Sequence, residues 1–203
     1  MDTIANKYIS RLKNAYYKAK GKDIWDHFEN IKHGATSKDL DQIKDIFPEV
    51  PEVPEALLHL LQFVDGTYWR TYGDDDITLF FFGSDMAEYP YYLLSSAQII
   101  ENKNVAASYY SDYIERAYEG VPIDEKITNK SKNLKWLHFS DCMNNGGTSQ
   151  LFIDFSPSEK GTKGQIVRFL HDPDEFKVIA DSFETYLQML MDKEMDFINE
   201  DNL

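Results

Sequence analysis

The chain has 203 residues, of which 42% are hydrophobic and 14% are aromatic, and its formal net charge is −14 at pH 7. This length and apolar content suit one folded domain and exclude intrinsic disorder as its ordinary state. The acidity repels nucleic-acid phosphates and anionic lipids and attracts basic proteins, so we expect a protein partner, no nucleic acid and no membrane. Acidity that serves solubility alone is the alternative.

The single cysteine, Cys142, excludes an internal disulfide and favours a reducing compartment. No stretch approaches the roughly 20 apolar residues that span a bilayer. The first residues lack the apolar core and the cleavage site of a signal peptide. We therefore expect a cytoplasmic protein.

The first 35 residues predict two helices. Apolar residues recur at helical spacing over residues 4–19, and a shorter pattern over residues 24–31 ends before Gly34. Residues 1–22 hold six basic side chains and one acidic one. This basic stripe favours a solvated helix face, with an anion-binding arm as the alternative.

Two further helices are predicted before the first strand. Thr36 or Ser37 offers a hydroxyl that can cap the first of them. Pro54 occupies a favourable first position of the second helix, and Gly66 closes it.

Residues 68–72 and 77–82 are rich in β-branched and aromatic side chains and predict two strands. Gly73 and the three aspartates that follow it predict a hairpin turn between them. Residues 91–94 predict another strand.

The middle of the chain is less regular. Ser95 or Ser96 can cap a short helix. The polar, Tyr-rich residues 105–133 then read as an insert, with a helix predicted over residues 108–119 and a loop after it.

The last third predicts four short strands, at residues 134–139, 151–155, 165–170 and 176–180. Gly146-Gly147, Gly161 with Gly164, and Asp172-Pro173 mark the turns, and this spacing predicts an antiparallel meander. A terminal helix from Asp181 or Ser182 has an apolar stripe that continues to Ile198. Helices, then strands, then a closing helix predict an α+β fold.

Signatures of catalysis are missing from the sequence. It contains no phosphate-binding or dinucleotide-binding glycine loop, no zinc-protease motif and no serine-hydrolase motif. His138 and Cys142 invite a Cys–His nucleophile hypothesis, but a strand followed by a turn does not bring them together. We expect no catalytic residue, cofactor or metal; an enzyme of unrecognised type stays open as an alternative.

One acidic and aromatic neighbourhood does stand out. Aromatic side chains set among carboxylates can anchor a basic partner. The predicted partner-binding residues are Trp69, Tyr72, Asp74, Asp75, Asp76, Asp85 and Glu88. A solvated acidic turn above an ordinary core is one alternative; a Ca²⁺ site at the three successive aspartates, which do not follow the EF-hand pattern, is another.

Three segments, in this order, resemble the SUKH superfamily. Residues 36–66, TSKDLDQIKDIFPEVPEVPEALLHLLQFVDG, hold a capped helix, a Val-Pro step and a short helix that ends in Asp-Gly. Residues 136–169, WLHFSDCMNNGGTSQLFIDFSPSEKGTKGQIVRF, resemble its Trp, Gly-Gly, Leu-x-Ile-Asp and Gly-Gln-Ile progression. Residues 178–190, VIADSFETYLQML, resemble its closing helix.

The resemblance implies an α+β fold in which a twisted, mainly antiparallel sheet of about five to six strands is backed by N-terminal helices and a C-terminal helix. It implies a single SUKH-like domain over residues 1–203. Residues 1–35 are then an N-terminal helical extension, and residues 105–133 are a Tyr-rich insert. The predicted fold-determining residues are Pro54, Gly66, Trp136, Gly164 and Phe183. Asp154 matches a motif position as either a structural or an exposed residue.

Bacterial members of the superfamily are largely immunity proteins that neutralise toxins, many of them nucleases, and fungal members regulate cell-wall synthesis and signalling. The resemblance implies a non-catalytic protein-binding domain. We expect an immunity protein whose acidic surface masks a basic toxin. The alternative is a scaffold or regulatory interaction protein in cell-wall or signalling pathways.

Overall fold

The computed structural model describes residues 3–49, 53–144 and 147–203. The helices are α1 (Ile4–Lys18), α2 (Lys22–Ile31), α3 (Ser37–Lys44), α4 (Glu55–Phe63), α5 (Ser96–Glu101), α6 (Val105–Tyr109), α7 (Ser111–Ile114) and α8 (Phe183–Asp192). The strands are β1 (Arg70–Tyr72), β2 (Asp75–Ile77), β3 (Tyr92–Leu93), β4 (Trp136–Asn144), β5 (Gly147–Asp154), β6 (Gln165–Leu170) and β7 (Glu175–Ala180). This order confirms the predicted α+β fold. No helix in the described ranges combines the length and the hydropathy that crossing a membrane requires.

Five strands form one antiparallel sheet in the order β3-β4-β5-β6-β7, while β1 and β2 form a separate antiparallel pair. Consecutive strands along β3 to β7 are neighbours, which confirms the predicted meander. Gly146, half of the predicted Gly-Gly turn between β4 and β5, lies outside the described residues.

A register shift between His138 and Ser140 in β4 decides which side chains face which side of the sheet. Leu137, Phe139 and Cys142 join the core cluster on the side of the helices. Trp136 joins a second cluster on the opposite side. Because an extra residue in a strand breaks the simple alternation of side chains, the bulge redirects β4 beyond it.

The helix-side core contains α1, α2, α4 and α8. Tyr8 and Leu12 of α1, and Trp25 and Phe28 of α2, have no exposed surface. Each fully buried side chain of this size stabilises the fold by roughly 1.5–3 kcal/mol. The described part of the predicted N-terminal helical extension therefore packs into the main core through α1 and α2.

The predicted hairpin is present as β1 and β2, but its second strand is shorter and begins earlier than predicted. The second strand is predicted over residues 77–82, but β2 ends at Ile77 and the residues after it are mostly buried and irregular, with one isolated β-bridge from Phe82 to Tyr91. Tyrosine hydroxyls bond three of the carbonyl groups that a neighbouring strand would otherwise satisfy. The bonds run from Tyr8 to Phe81 O (2.6 Å), from Tyr16 to Phe80 O (2.8 Å) and from Tyr186 to Gly83 O (2.7 Å).

The insert covers the other side of the sheet. The single helix predicted over residues 108–119 is wrong, since α6 and α7 are separated at Tyr110. The buried ring of Tyr110 packs against Phe169 and Phe176, with ring centres 4.7 and 5.1 Å apart. Tertiary packing of this ring overrides helix propensity here.

The rest of the insert is held by side-chain bonds to its backbone and by the sheet edge. Arg116 donates to the carbonyl groups of Ile127 and Thr128. Asp124 N donates to Phe176 O at 2.9 Å, so the insert covers the outer edge of β7. Both layers share one sheet, which supports the single-domain organisation over residues 1–203 that we predict.

The C-terminal helix is shorter than predicted. It ends at Asp192, and Glu194 and Met195 have positive φ angles of 54° and 58°. The chain turns back so that Phe197 and Ile198 still enter the helix-side core. The apolar stripe thus correctly predicted that Phe197 and Ile198 are buried, but the prediction that the helix continues to them is wrong.

Two of the predicted fold-determining residues are glycines with left-handed backbone. Gly66 has a φ of +88°, and a Cβ there would lie 2.6 Å from Ser95 N, so both conformation and space demand glycine. Gly164 has a φ of +87° with open space around it, and its N–H donates to Asp154 O at 2.7 Å.

The other three are placed at helix starts or in the core. Pro54 is the residue before the first turn of α4, one position earlier than predicted. Phe183 is the first residue of α8 and is fully buried. Trp136 is buried between the sheet and the insert, where its ring centre lies 5.3 Å from that of Phe152.

Candidate partner-binding surface

The short β1–β2 hairpin carries most of the predicted partner-binding residues. Asp74, Asp75 and Asp76 are all exposed, and Trp69, immediately before β1, keeps 69% of its surface exposed. We call these four residues the acidic hairpin surface. Since a three-residue strand rises about 10 Å, one compact contact can cover all four.

Asp65 fixes the base of this hairpin. One of its carboxylate oxygens accepts from Ser96 N at 2.7 Å, and the other lies 3.2 Å from Arg70 Nη2. Arg70 also donates through Nε to the carbonyl oxygen of Asp65. These bonds hold the backbone on both sides of Trp69, whose φ of +47° is uncommon for a non-glycine residue.

The charge of the hairpin is left largely uncompensated. Asp75 Oδ2 lies 3.7 Å from His27 Nε2 of α2, and Asp76 accepts from the Thr71 hydroxyl at 2.7 Å. Within the described ranges, no Lys or Arg forms an ion pair with Asp74, Asp75 or Asp76. Two basic residues of α1 and α2 form ion pairs elsewhere, Lys13 with Glu29 and Lys22 with Asp26.

The calcium alternative for the three aspartates has no geometric support. Among residues 3–49, 53–144 and 147–203, no group of three His, Cys, Asp or Glu side chains converges as metal ligands would. Asp74 lies in the turn, and Asp75 and Asp76 are successive strand residues that point to opposite faces, so the three carboxylates do not surround one ion.

Tyr72 does not belong to this surface, contrary to the prediction. Only 2% of it is exposed, and its hydroxyl donates to Gly66 O at 2.7 Å. Burial raises the pKa of Tyr72 to about 12. The residue alternates inward on β1, so it anchors the hairpin to the core and offers no contact to a partner.

Asp85 is likewise a structural residue, which corrects its prediction as a partner contact. It accepts from Arg168 Nε at 2.6 Å and from Lys177 Nζ at 2.7 Å, and Arg168 also binds Glu175. Although burial opposes ionisation, these hydrogen bonds hold the pKa of Asp85 below its ordinary value. Glu88, on the connection that leads to β3, is exposed.

The Cys–His nucleophile hypothesis fails on geometry. Cys142 faces the helix-side core, whereas the ring of His138 lies 4.9 Å from that of Phe152 on the insert side. Burial raises the pKa of the Cys142 thiol to about 12, so the reactive thiolate is not formed near neutral pH.

His138 instead belongs to a buried polar network beneath the insert. Its Nε2 lies 2.9 Å from Asp141 Oδ1, and its Nδ1 lies 3.2 Å from Asn102 Nδ2. Gln150 donates to the same Asp141 oxygen at 3.1 Å and accepts from the Tyr110 hydroxyl at 2.6 Å.

This network forms the floor of an open cleft of about 490 Å³, which we call the tyrosine cleft. Its lining residues are Asn102, Val105, Tyr109, Tyr110, Tyr113, His138, Asp141, Thr148 and Gln150. Sequence reasoning missed it, although the Tyr-rich insert was a signal. The cleft depends on the register of β4 and β5, which places Asp141 opposite Gln150.

A search of the curated proteins finds no match to the chain. The profile of the SMI1 / KNR4 family (SUKH-1) matches residues 34–189, which include α3 to α7, all seven strands and most of α8. This match covers most of the chain and agrees with the resemblance and with the fold. The chain belongs to the SMI1 / KNR4 family (SUKH-1).

Proposed function

We propose that this protein is an immunity protein that binds a basic toxin and masks its active site with the acidic hairpin surface. The observation that carries the proposal is the exposed Trp69 beside three carboxylates that no described Lys or Arg neutralises. Membership of the SMI1 / KNR4 family is consistent with this role.

The chemistry of the two parts of the surface is complementary. A nuclease binds phosphate groups with cationic side chains, and carboxylates compete for those cations. Uncompensated carboxylates also speed the encounter with a basic partner. An exposed tryptophan contributes apolar contact area, which is typical of residues that dominate binding energy. Trp69 and the aspartates would thus supply affinity and encounter rate respectively.

The first test is a growth assay with the product of the gene immediately upstream. We expect that product to arrest growth when expressed alone, and co-expression of this protein to restore it. A product that is harmless, or that kills in the presence of this protein, would exclude immunity to that product.

The second test measures affinity between the purified protein and the toxin at low and high ionic strength. Reversal of Asp74, Asp75 and Asp76 to Lys should weaken binding by about tenfold or more and flatten its salt dependence. A control variant reverses Glu119, Glu159 and Glu184, which are exposed elsewhere, and changes the net charge equally. Equal affinity of the two variants would place the binding surface outside the hairpin.

A scaffold or regulatory protein of cell-wall or signalling pathways is the second candidate. It is favoured by two separate candidate surfaces, the hairpin on the helix side and the tyrosine cleft on the insert side of the sheet. This role predicts several partners in an affinity purification and no rescue of growth. One stoichiometric partner whose toxicity is suppressed would argue against it.

A further inference from the structure

We infer that the tyrosine cleft is a binding pocket for one cationic side chain, a Lys or Arg of the protein partner. This inference deepens the proposed function, on which it rests for the basic character of the partner. It concerns a second surface, because the cleft is on the insert side of the sheet and the acidic hairpin is on the helix side.

The walls and the floor of the cleft are those of a cation site. Tyr109, Tyr110 and Tyr113 line the cleft, and the exposed ring of Tyr109 is free to attract a cation electrostatically. The side chain of Asp141, only 11% exposed, supplies a carboxylate at the floor. Its low exposure strengthens the attraction of the carboxylate for a cation relative to a fully exposed one.

Among the described lining residues, His138 is the one side chain that can carry a positive charge beside Asp141. No Lys or Arg is among the described residues that line the cleft. The partners of Asp141 are His138 and the neutral amide of Gln150. Every floor group is also held by a neighbour, so the pocket is organised before a ligand arrives, which lowers the entropic cost of binding.

The size and exposure of the cleft favour a side chain of a protein over a deeply enclosed ligand. About 490 Å³ is within the range of small-ligand sites. Tyr109 keeps 74% of its surface exposed at the rim, which is unusual for a large aromatic side chain. An interface would cover this ring while a Lys or Arg of the partner enters between the tyrosines.

The test uses Nα-acetyl-arginine amide and Nα-acetyl-lysine amide as probes, and their binding to the full chain is monitored by two-dimensional NMR. We expect both probes to shift the signals of the Gln150 side-chain amide and of Tyr109 and Thr148. N-acetyl-citrulline amide, which matches arginine in shape and lacks its charge, should shift none of them. Equal shifts with citrulline would overturn the cationic assignment.

Variants then test the cleft itself. Tyr109→Ala should weaken probe binding about fivefold or more. Thr148→Lys should abolish it, because the ammonium group of the introduced lysine occupies the cleft. Ile24→Ala, at an exposed residue of α2 that does not line the cleft, is the control and should leave probe binding unchanged. Unaltered binding in both cleft variants, with folding verified by thermal unfolding, would reject the site.

The outcomes also separate this inference from the proposed function. If the Tyr109→Ala variant restores growth and binds the toxin with unchanged affinity, the cleft is rejected as a partner contact and immunity stands. The opposite outcome is also possible: the probes bind the unaltered protein and not the Thr148→Lys variant, while the unaltered protein restores growth with no toxin. That outcome would reject immunity and leave the cation pocket standing.

Discussion

The two faces of the five-stranded sheet are built differently. The helix side is a large apolar core that includes the buried side chains of α1 and α2, and polar groups within it, such as the hydroxyls of Tyr8 and Tyr186, bond to backbone carbonyl groups. The insert side is a smaller cluster around Phe152 and Tyr110, with the polar network of His138 and Asp141 next to an open cleft.

This difference separates a closed, apolar side of the sheet from a side that is partly open to solvent. Apolar burial scales with area, so the larger, closed core on the helix side contributes most of the folding free energy. The insert side keeps charged and hydrogen-bonding groups near solvent, where they are available to a ligand. The following predictions would sharpen or break this comparison.

Matched truncations of two buried phenylalanines should have the largest effect. Phe139 packs against Phe183 on the helix side, and Phe152 packs against Trp136 on the insert side; neither is exposed. We expect Phe139→Ala to lower the free energy of unfolding by about 4–5 kcal/mol and Phe152→Ala by about 3 kcal/mol, because water can enter from the cleft. Urea denaturation measures both. A larger loss for Phe152→Ala would invert the comparison.

The insert side should also make stability depend on pH, through Asp154. Its oxygens accept from Ser156 and Gln165, yet burial raises its pKa to about 6. The folded state therefore binds this proton more tightly than the unfolded state. The protonated Asp154 carboxyl therefore contributes to the free energy of unfolding in full below about pH 4. This contribution, up to roughly 3 kcal/mol, is lost as the pH rises through about 6.

The Asp154→Asn variant removes this titration. Its free energy of unfolding, measured at several pH values, should improve relative to the unaltered protein as the pH rises from about 4 to 7. A difference between the two proteins that stays constant over this window would mean that Asp154 ionises as in the unfolded chain.

Removal of single hydroxyls should have a smaller effect and again distinguish the faces. Tyr8→Phe leaves the buried Phe81 carbonyl without its donor and should cost about 1–2 kcal/mol. Tyr110→Phe frees Gln150 beside the cleft, where water can replace the hydroxyl, and should cost less than about 1 kcal/mol. Equal costs in chemical denaturation would indicate that the cleft is dry.

The smallest effects are expected at the two exposed aromatic residues. Trp69→Ala and Tyr109→Ala should each change the free energy of unfolding by no more than about 0.5 kcal/mol, because both rings are largely exposed. Thermal or urea unfolding measures this. A loss well above 1 kcal/mol at either position would assign that ring to the fold and weaken its role in binding.

Local patterns predicted much of the fold from the sequence alone. Helical apolar spacing identified α1, α2 and α4. Thr36, Ser95 and Ser182, each one of two candidates that the sequence offered, cap the predicted helices with their hydroxyls. Turn residues identified the meander of β4 to β7. These signals are local, since a cap or a period acts within a few residues.

The candidate sites were predicted less well, because exposure is not a local property. Tyr72 and Asp85 lie close in sequence to the exposed aspartates, yet one enters the core and the other binds Arg168, 83 residues away. The tyrosine cleft joins the insert to β4 and β5, and no motif in the sequence connects these segments.

The amino-acid sequence by itself determined the α+β class, the antiparallel order of the last strands and the family, since all three depend on periodicity, turn chemistry and short motifs. Tertiary structure alone decided that distant tyrosine hydroxyls bond the carbonyl groups of Phe80, Phe81 and Gly83. It likewise decided that the bulge at His138 separates that residue from Cys142. It also decided which aromatic residues face solvent. The physical reason is that burial and pairing are settled between distant segments, where each buried polar group must find a partner.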